Sequence, residues 1–355
     1  MARKIMVGMS GGVDSSVAAY LLKKQGYEVT GVTFKLWDDP TLESGCCSAD
    51  DVRDAAYVCQ QLGIPHYVLN YKDLFRQEVV GLFAEEYLRG RTPNPCISCN
   101  RYIKFGAFSH KLRELGFDLM ATGHYACCGY NEATGRWELK RAIHPEKDQS
   151  YVLYQLTQHQ LAHLLLPVGD YDKPAIRDKA REAGLDNADK GDSQDICFVP
   201  DGDYVTFLQR QGLTLTPGDF LDEAGRVLGR HRGLPCYTIG QGKGLGVAVG
   251  RHVYVLEKDQ VHNAIVLGDD SALYASSLLA SHVNWISGQI PAAPVRCAAK
   301  TRYSQVETPC TAYPLPDGGL RVVFDQPQRA ITAGQAVVLY DGDEVLGGGT
   351  IEKSE

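Results

Sequence analysis

Six residues near the N-terminus, Ser10-Gly11-Gly12-Val13-Asp14-Ser15, leave this chain few folds to choose from. They follow residues 4–9, an apolar run of strand type. They open a segment in which Val13, Val17, Ala18, Leu21 and Leu22 recur at helical spacing until Gly26. A strand that turns straight into a helix brings the unpaired amides of the helix's first turn to a sheet end, where they face an anion. Glycines let that backbone turn tightly and approach a polyanion closely. Ser10 and Ser15 add hydroxyl donors, and Asp14 can hold a Mg²⁺ ion that in turn holds phosphate. There is no G-x-x-x-x-G-K-[ST] and the loop is not G-x-G-x-x-G, so neither a Walker loop nor a dinucleotide fingerprint accounts for it. The bland alternative is a glycine turn with a serine cap and no ligand.

Strand and helix patterns alternate over roughly the first 125 residues, which predicts a parallel sheet with helices on both faces. Further strands are expected over 28–34, 66–69 and 117–122. Helices are expected from a capping-box-like Ser48-Ala49-Asp50-Asp51 to Gly63, over 73–88 and over 104–115. Residues 156–184 read as helical. Beyond Pro217, short β-type runs recur between Gly, Pro and Asp turns, at 233–239, 253–256, 264–267, 295–298, 321–324, 336–340 and 345–349, as in small barrels or sandwiches. The expected fold class is therefore α/β, followed by a small mixed central domain and a C-terminal β-barrel. The expected domains are 1–156, with 186–200 folding back onto it, then 157–274 and 275–355.

Composition narrows the function. Hydrophobic residues make up 44% and charged residues 22% of the chain, ordinary for a globular protein. No apolar run approaches the roughly 20 residues that span a bilayer. Met1-Ala2-Arg3-Lys4-Ile5 leads into strand pattern rather than a signal peptide. No membrane partner and a cytoplasmic location are expected. The eleven cysteines should then be mostly reduced thiols. Cys59, Cys127, Cys128, Cys236, Cys297 and Cys310 fit the part of small buried hydrophobes. Cys96 and Cys99 have C-x-x-C spacing, which suits a redox pair or two ligands of one metal. A net charge of −7 argues against a general nucleic-acid binder. Such a partner would need local patches such as Arg89, Arg91, Arg101 and Lys104, then Lys140, Arg141 and Lys147, then Arg230, His231 and Arg232, or Lys300 with Arg302.

The S-G-G-x-D-S loop resembles that of the PP-loop ATP pyrophosphatases (adenine nucleotide alpha-hydrolase-like), which split ATP to AMP and pyrophosphate and adenylate a substrate oxygen. This resemblance implies that Gly8, Met9, Ser10, Gly11, Gly12, Val13, Asp14 and Ser15 bind ATP with Mg²⁺. It also implies that Phe34 and Gly123, at the ends of two later strands, lie near the adenosine. Those strand ends are where open α/β sheets bind ligands.

Further segments resemble the tRNA-specific 2-thiouridylase family, in order and over almost the full length. They are Arg91-Thr92-Pro93-Asn94-Pro95, Cys99-Asn100, Lys104-Phe105-Gly106, Ala121-Thr122-Gly123-His124-Tyr125, Lys147-Asp148-Gln149-Ser150-Tyr151 and Ser193–Pro200. His231-Arg232-Gly233-Leu234, Tyr237-Thr238-Ile239-Gly240-Gln241 and Arg302-Tyr303 follow. The resemblance implies ATP-dependent 2-thiolation of the wobble uridine (U34) in the tRNA anticodon loop. Cys99 would be the nucleophile. Cys197 would receive persulfide sulfur from a sulfur-relay protein or a cysteine desulfurase. Asn94, Pro95 and Cys96 would surround the base. His124, Lys147, Asp148, Gln149, Arg302, Tyr303 and Gln335 would lie near the tRNA. A base in an anticodon loop is already single-stranded, so extruding it costs little.

This chain has Cys96 where many members carry Asp. That opens a second course, in which Cys96, Cys99 and Cys197 give three thiolates to a [4Fe–4S] cluster with one open iron. Two other readings compete. One is a PP-loop synthetase acting on a small acid, against which stand the cysteine segments and the absence of an obvious glutaminase domain. The other is a metal or redox module with a vestigial loop, against which stands the intact Ser10–Ser15 motif.

Overall fold

The computed structural model describes residues 2–37, 49–191, 196–199 and 202–355. Ser48, the expected cap of the second helix, lies outside them. The chain runs β1 (Lys4–Gly8), α1 (Val13–Lys24), β2 (Glu28–Lys35), α2 (Ala49–Leu62), β3 (His66–Asn70), α3 (Lys72–Phe75), α4 (Leu82–Leu88), α5 (Pro95–Ser98), α6 (Phe108–Glu114) and β4 (Leu119–Ala121). A hairpin of β5 (Ala126–Asn131) and β6 (Arg136–Arg141) follows, then α7 (Gln158–Leu161), β7 (Leu164–Leu165) and α8 (Lys173–Glu182). The π-helical segments Arg76–Gly81 and Cys99–Ala107 join α3 to α4 and α5 to α6, making two continuous helical rods.

Five of these strands form one parallel sheet in the order β3-β2-β1-β4-β7. In β1, Ile5, Met6 and Val7 are all fully buried, because a parallel strand under helices is covered on both faces. Their alternation divides the core. Ile5 and Val7 join Val13 and Val17 of α1, Val58 of α2 and Ile176 and Ala180 of α8. Met6 joins Val32, Phe34, Phe75, Phe83 and Phe108 on the other face. Strand order reverses at β1, so the loops after β1 and β4 flank a crevice at the carboxyl edge.

The first body runs past the expected break near Leu156. β7 pairs with β4, and α8 packs on the α1 side of the sheet. Within the helical pattern of 156–184, Pro167 and Gly169 interrupt the run and confine helix to α7 and α8, the latter with Pro174 near its start as expected.

A second body holds α9 (Tyr204–Arg210), β8 (Gly218–Asp222), β9 (Val227–His231), β10 (Tyr254–Asp259) and β11 (Ala264–Gly268), with sheet order β10-β11-β8-β9 around Phe220, Val255 and Ile265. Residues 233–239, expected as strand, instead form a short 3₁₀ turn at Leu234–Cys236, where Pro235 offers no ladder donor.

The C-terminal body is a barrel of β12 (Tyr274–Trp285), β13 (Val295–Lys300), β14 (Thr308–Pro314), β15 (Leu320–Arg329), β16 (Ala336–Asp341) and β17 (Glu344–Ser354). The neighbours run β12-β15-β14-β13-β16-β17, and β12 pairs back with β17 to close the ring, which leaves no free edge within it. The β5–β6 hairpin joins the same sheet through Glu344 and Lys140, tying the first body to the barrel. Among the described residues no helix is long and apolar enough to cross a membrane.

Candidate active site

The loop after β1 is built for close approach. Gly11 has φ +74°, and a Cβ there would lie 2.7 Å from the Asp51 carbonyl oxygen, so only glycine fits. Gly12 is the N-cap of α1 and gives the first turn no side-chain cap. The serines brace the turn: Ser15 Oγ donates to the Gly12 carbonyl (3.0 Å) and accepts from the Ser10 amide (3.2 Å). From the turn after β4, Gly123 packs against the loop. A Cβ there would lie 2.6 Å from the Ser15 nitrogen and 2.8 Å from the Asp14 carbonyl carbon.

Asp14, in the first turn of α1, is held by two groups from other elements. The Tyr125 hydroxyl donates to its Oδ1 at 2.6 Å, and Lys173 Nζ donates to both oxygens at 2.8 and 3.0 Å. These residues line a cavity of about 480 Å³ with Ser10, Gly12, Lys147 and Lys190. Lys190 reaches Asp51 at 3.1 Å and Asp54 at 2.6 Å. Burial pulls its ammonium down, but the two carboxylates outweigh that and hold it above the ordinary lysine value. The cavity thus combines uncapped helix amides, three lysines and carboxylates able to hold a divalent cation. That donor set suits a polyphosphate carried with Mg²⁺.

The first cysteine segment begins a helix. Asn94 Oδ1 accepts from the Cys96 amide at 3.1 Å, and Pro95 occupies the first helical position, so Asn-Pro fixes where α5 starts. Cys96 is exposed there, whereas Cys99, one turn on, is 7% exposed. Cys99 belongs to the apolar cluster that holds Phe75, Phe83 and Phe198, and Cys197 packs against that cluster. Phe198 anchors the second cysteine segment, its ring edge-on to Phe75 at 5.7 Å and Phe83 at 5.4 Å. One core thus carries both cysteine segments.

The segment before α5 is pinned to the barrel. Thr92 N donates to the Ala333 carbonyl at 2.9 Å, and Gln335 Nε2 donates to the Thr92 carbonyl at 2.8 Å. Arg91 pairs with Glu86 at 2.6 Å and with Glu352 of β17.

Family models match the chain in three stretches: a tRNA methyl transferase HUP domain over 3–201, a tRNA methyl transferase PRC-barrel domain over 205–269 and an aminomethyltransferase beta-barrel domain over 275–351. The tRNA-specific 2-thiouridylase MnmA of Clostridioides difficile (strain 630) is 50% identical over 100% of this chain and 99% of its own length. The chain belongs to the tRNA-specific 2-thiouridylase family. Its relative in Acetivibrio thermocellus, of the same name, is 51% identical over 99% of each chain. That of Symbiobacterium thermophilum is 52% identical over 100% of this chain and 93% of its own.

The residues that the 2-thiouridylase resemblance marks for tRNA fall into two groups. Lys147, Gln149 and Tyr303 line the cavity beside the loop. Tyr303 also donates to the Asp148 carbonyl at 3.0 Å, and burial, then Asp148 and Cys96, push its phenol up. Asp148, His124 and Arg302 are engaged within the protein. The buried Asp148 carboxylate accepts from the amides of Ala142 (3.0 Å) and Ser150 (3.1 Å) and from the Ser150 hydroxyl (2.8 Å). His124 lies 2.8 Å from Thr122 Oγ1 and is 9% exposed. Arg302 donates to the Ala330 carbonyl at 2.6 Å, and burial, then Arg329, lower its affinity for a proton. Phe34 is 7% exposed, its ring edge-on to Phe108 at 5.0 Å, beside the Gly8 turn.

Sequence reasoning did not single out Lys173, Lys190 or Tyr125 as site residues. Lys173 carries only a local signal, the helix start Asp172-Lys173-Pro174, where Asp172 caps the Ala175 amide at 2.7 Å. That start says nothing of Asp14. As for the proposed cluster, no three His, Cys, Asp or Glu side chains among the described residues gather as a metal site.

Proposed function

We propose that this chain is a tRNA-uridine 2-sulfurtransferase that uses ATP to activate O2 of the wobble uridine and replaces it with sulfur carried on cysteine. The observation that carries the reading is an uncapped helix start with Asp14 and three lysines beside it, in a chain whose two cysteine segments share one apolar core on the other face of the same sheet. Full-length similarity to proteins named tRNA-specific 2-thiouridylase supports the substrate.

The amides at the start of α1, residues 13–15, and Lys173 hold the triphosphate, while Asp14, with Asp51 or Asp54 near, would hold its Mg²⁺. Lys173, paired with Asp14 at 2.8 Å, stands where it can serve the phosphates if Asp14 holds the cation, which would supply charge neutralisation there. Attack of the uridine O2 on the α-phosphorus forms the O2-adenylate and releases pyrophosphate, turning a poor leaving group into AMP. A persulfide on Cys197, loaded by a desulfurase or relay protein, attacks C2 and expels AMP. The Cys99 thiolate then attacks the Cys197 sulfur, leaving sulfur on C2 and a Cys99–Cys197 disulfide. A reductant restores both thiols each cycle. Asn94, Pro95 and Cys96 border the base, and Lys147, Gln149 and Tyr303 meet the anticodon loop.

The test separates the half-reactions. Cys99→Ala and Cys197→Ala should abolish 2-thiouridine formation and keep tRNA-stimulated pyrophosphate release. Asp14→Ala should abolish both. Pyrophosphate release that ignores tRNA and responds to a small carboxylic acid would overturn the reading. Cys96→Asp should retain activity.

A further inference from the structure

Two of the cysteines that read as bland core residues stand in a relation that packing alone does not require. Cys297 of β13 and Cys310 of β14 are directly opposed partners in the antiparallel register, and their sulfurs lie 3.6 Å apart. Cys310 is fully buried and Cys297 is 9% exposed, so reagents meet Cys297 first. Opposed residues on antiparallel strands have Cα atoms roughly 4.5–5.5 Å apart, within the span a disulfide bridges. Only a rotation of the two thiols separates the pair from a bond.

We infer that Cys297 and Cys310 form a reversible modification site, a dithiol that low-molecular-weight disulfides oxidise to an intrachain disulfide. The Cys297 thiolate attacks a disulfide R–S–S–R, forming Cys297–S–S–R and releasing one RS⁻. The Cys310 thiol, losing its proton, then attacks Cys297 Sγ and expels the second RS⁻. The two protein thiols are oxidised by two electrons, and the small disulfide is reduced to two thiols. The bond closes the segment that carries Arg302 and Tyr303, which lies between the two cysteines. It thereby tethers at its base the loop that borders the candidate site.

The experiment uses the full chain incubated with oxidised glutathione, then unfolded in iodoacetamide, digested and analysed by mass spectrometry. A peptide pair linked 297 to 310, abolished by dithiothreitol and absent from Cys297→Ala, is expected. Exposed Cys96 serves as the control for reagent activity. Full alkylation of both Cys297 and Cys310 while Cys96 is modified would overturn the inference. So would a stable glutathione adduct on Cys297 with Cys310 alkylated.

Discussion

At the scale of single residues, the loop's function rests on contacts that its own sequence does not contain. Gly123 is the sharpest case, because any side chain there meets backbone atoms of Asp14 and Ser15 rather than a movable side chain. Gly123→Ala should cost about 1–3 kcal/mol of stability, the usual range for overpacking. Calorimetry should show ATP affinity down by at least about tenfold, since 1.4 kcal/mol suffices for that. Lys173→Ala should lower tRNA-dependent pyrophosphate release by about a hundredfold, the scale of losing one preorganised charge partner. Unchanged release would show that Lys173 only balances Asp14 in the resting protein. The motif 10–15 could be read in the sequence because strand, glycines and helix start are contiguous. Lys173 and Tyr125 could not, since they reach Asp14 only through the pairing of β1 with β4 and the packing of α8 on α1.

At the scale of elements, long periodic segments declared themselves and short ones did not. The unbroken buried run of β1 and the helical recurrence of Val13, Val17, Ala18, Leu21 and Leu22 in α1 stand in the sequence as they stand in the fold. β7 has two residues, too short for any periodicity to show, whereas β4, with three, lies inside the strand expected over 117–122. The β5–β6 hairpin is buried partly in the first body's core, through Ala126 and Leu139, and partly by pairing with β17, so its pattern depends on both. The start of α5 is a docking point as much as a helix cap, and its charge pairing has a pH signature. The Arg91 hydrogen bond, then that of Ser281, outweighs burial and holds the Glu352 carboxyl below the ordinary glutamate value. A carboxyl lowered on folding contributes stability that is complete above its unfolded value and is lost as pH falls through the folded one. Glu352→Gln should therefore be less stable than the parent at neutral pH. The gap in urea midpoint should close in acid, below about pH 4. A gap that persists unchanged in acid would assign the loss to packing instead.

At the scale of the whole molecule, the barrel completes the site from behind. Asn284 of β12 donates to the carbonyls of Tyr154 (2.7 Å) and Leu156 (3.1 Å), and Tyr151 donates to the Ala336 carbonyl at 2.8 Å. These bonds join barrel to catalytic body through buried groups, each worth about 1 kcal/mol. Tyr151→Phe should lower stability by about that amount in denaturant unfolding, with the buried ring kept. The passage from α/β to β-rich structure was legible from the change of pattern near Pro217. The mutual docking was not, because it rests on backbone carbonyls that any sequence would supply. The central claim is that one crevice activates a uridine oxygen and delivers sulfur to the same carbon. The most direct measurement is mass spectrometry of nucleosides from unmodified tRNA incubated with the protein, ATP, Mg²⁺ and a desulfurase charged with cysteine. The account predicts 2-thiouridine at the wobble position with one AMP formed per sulfur inserted. AMP formation on tRNA with no sulfur gained, or sulfur gained at another nucleotide, would contradict it.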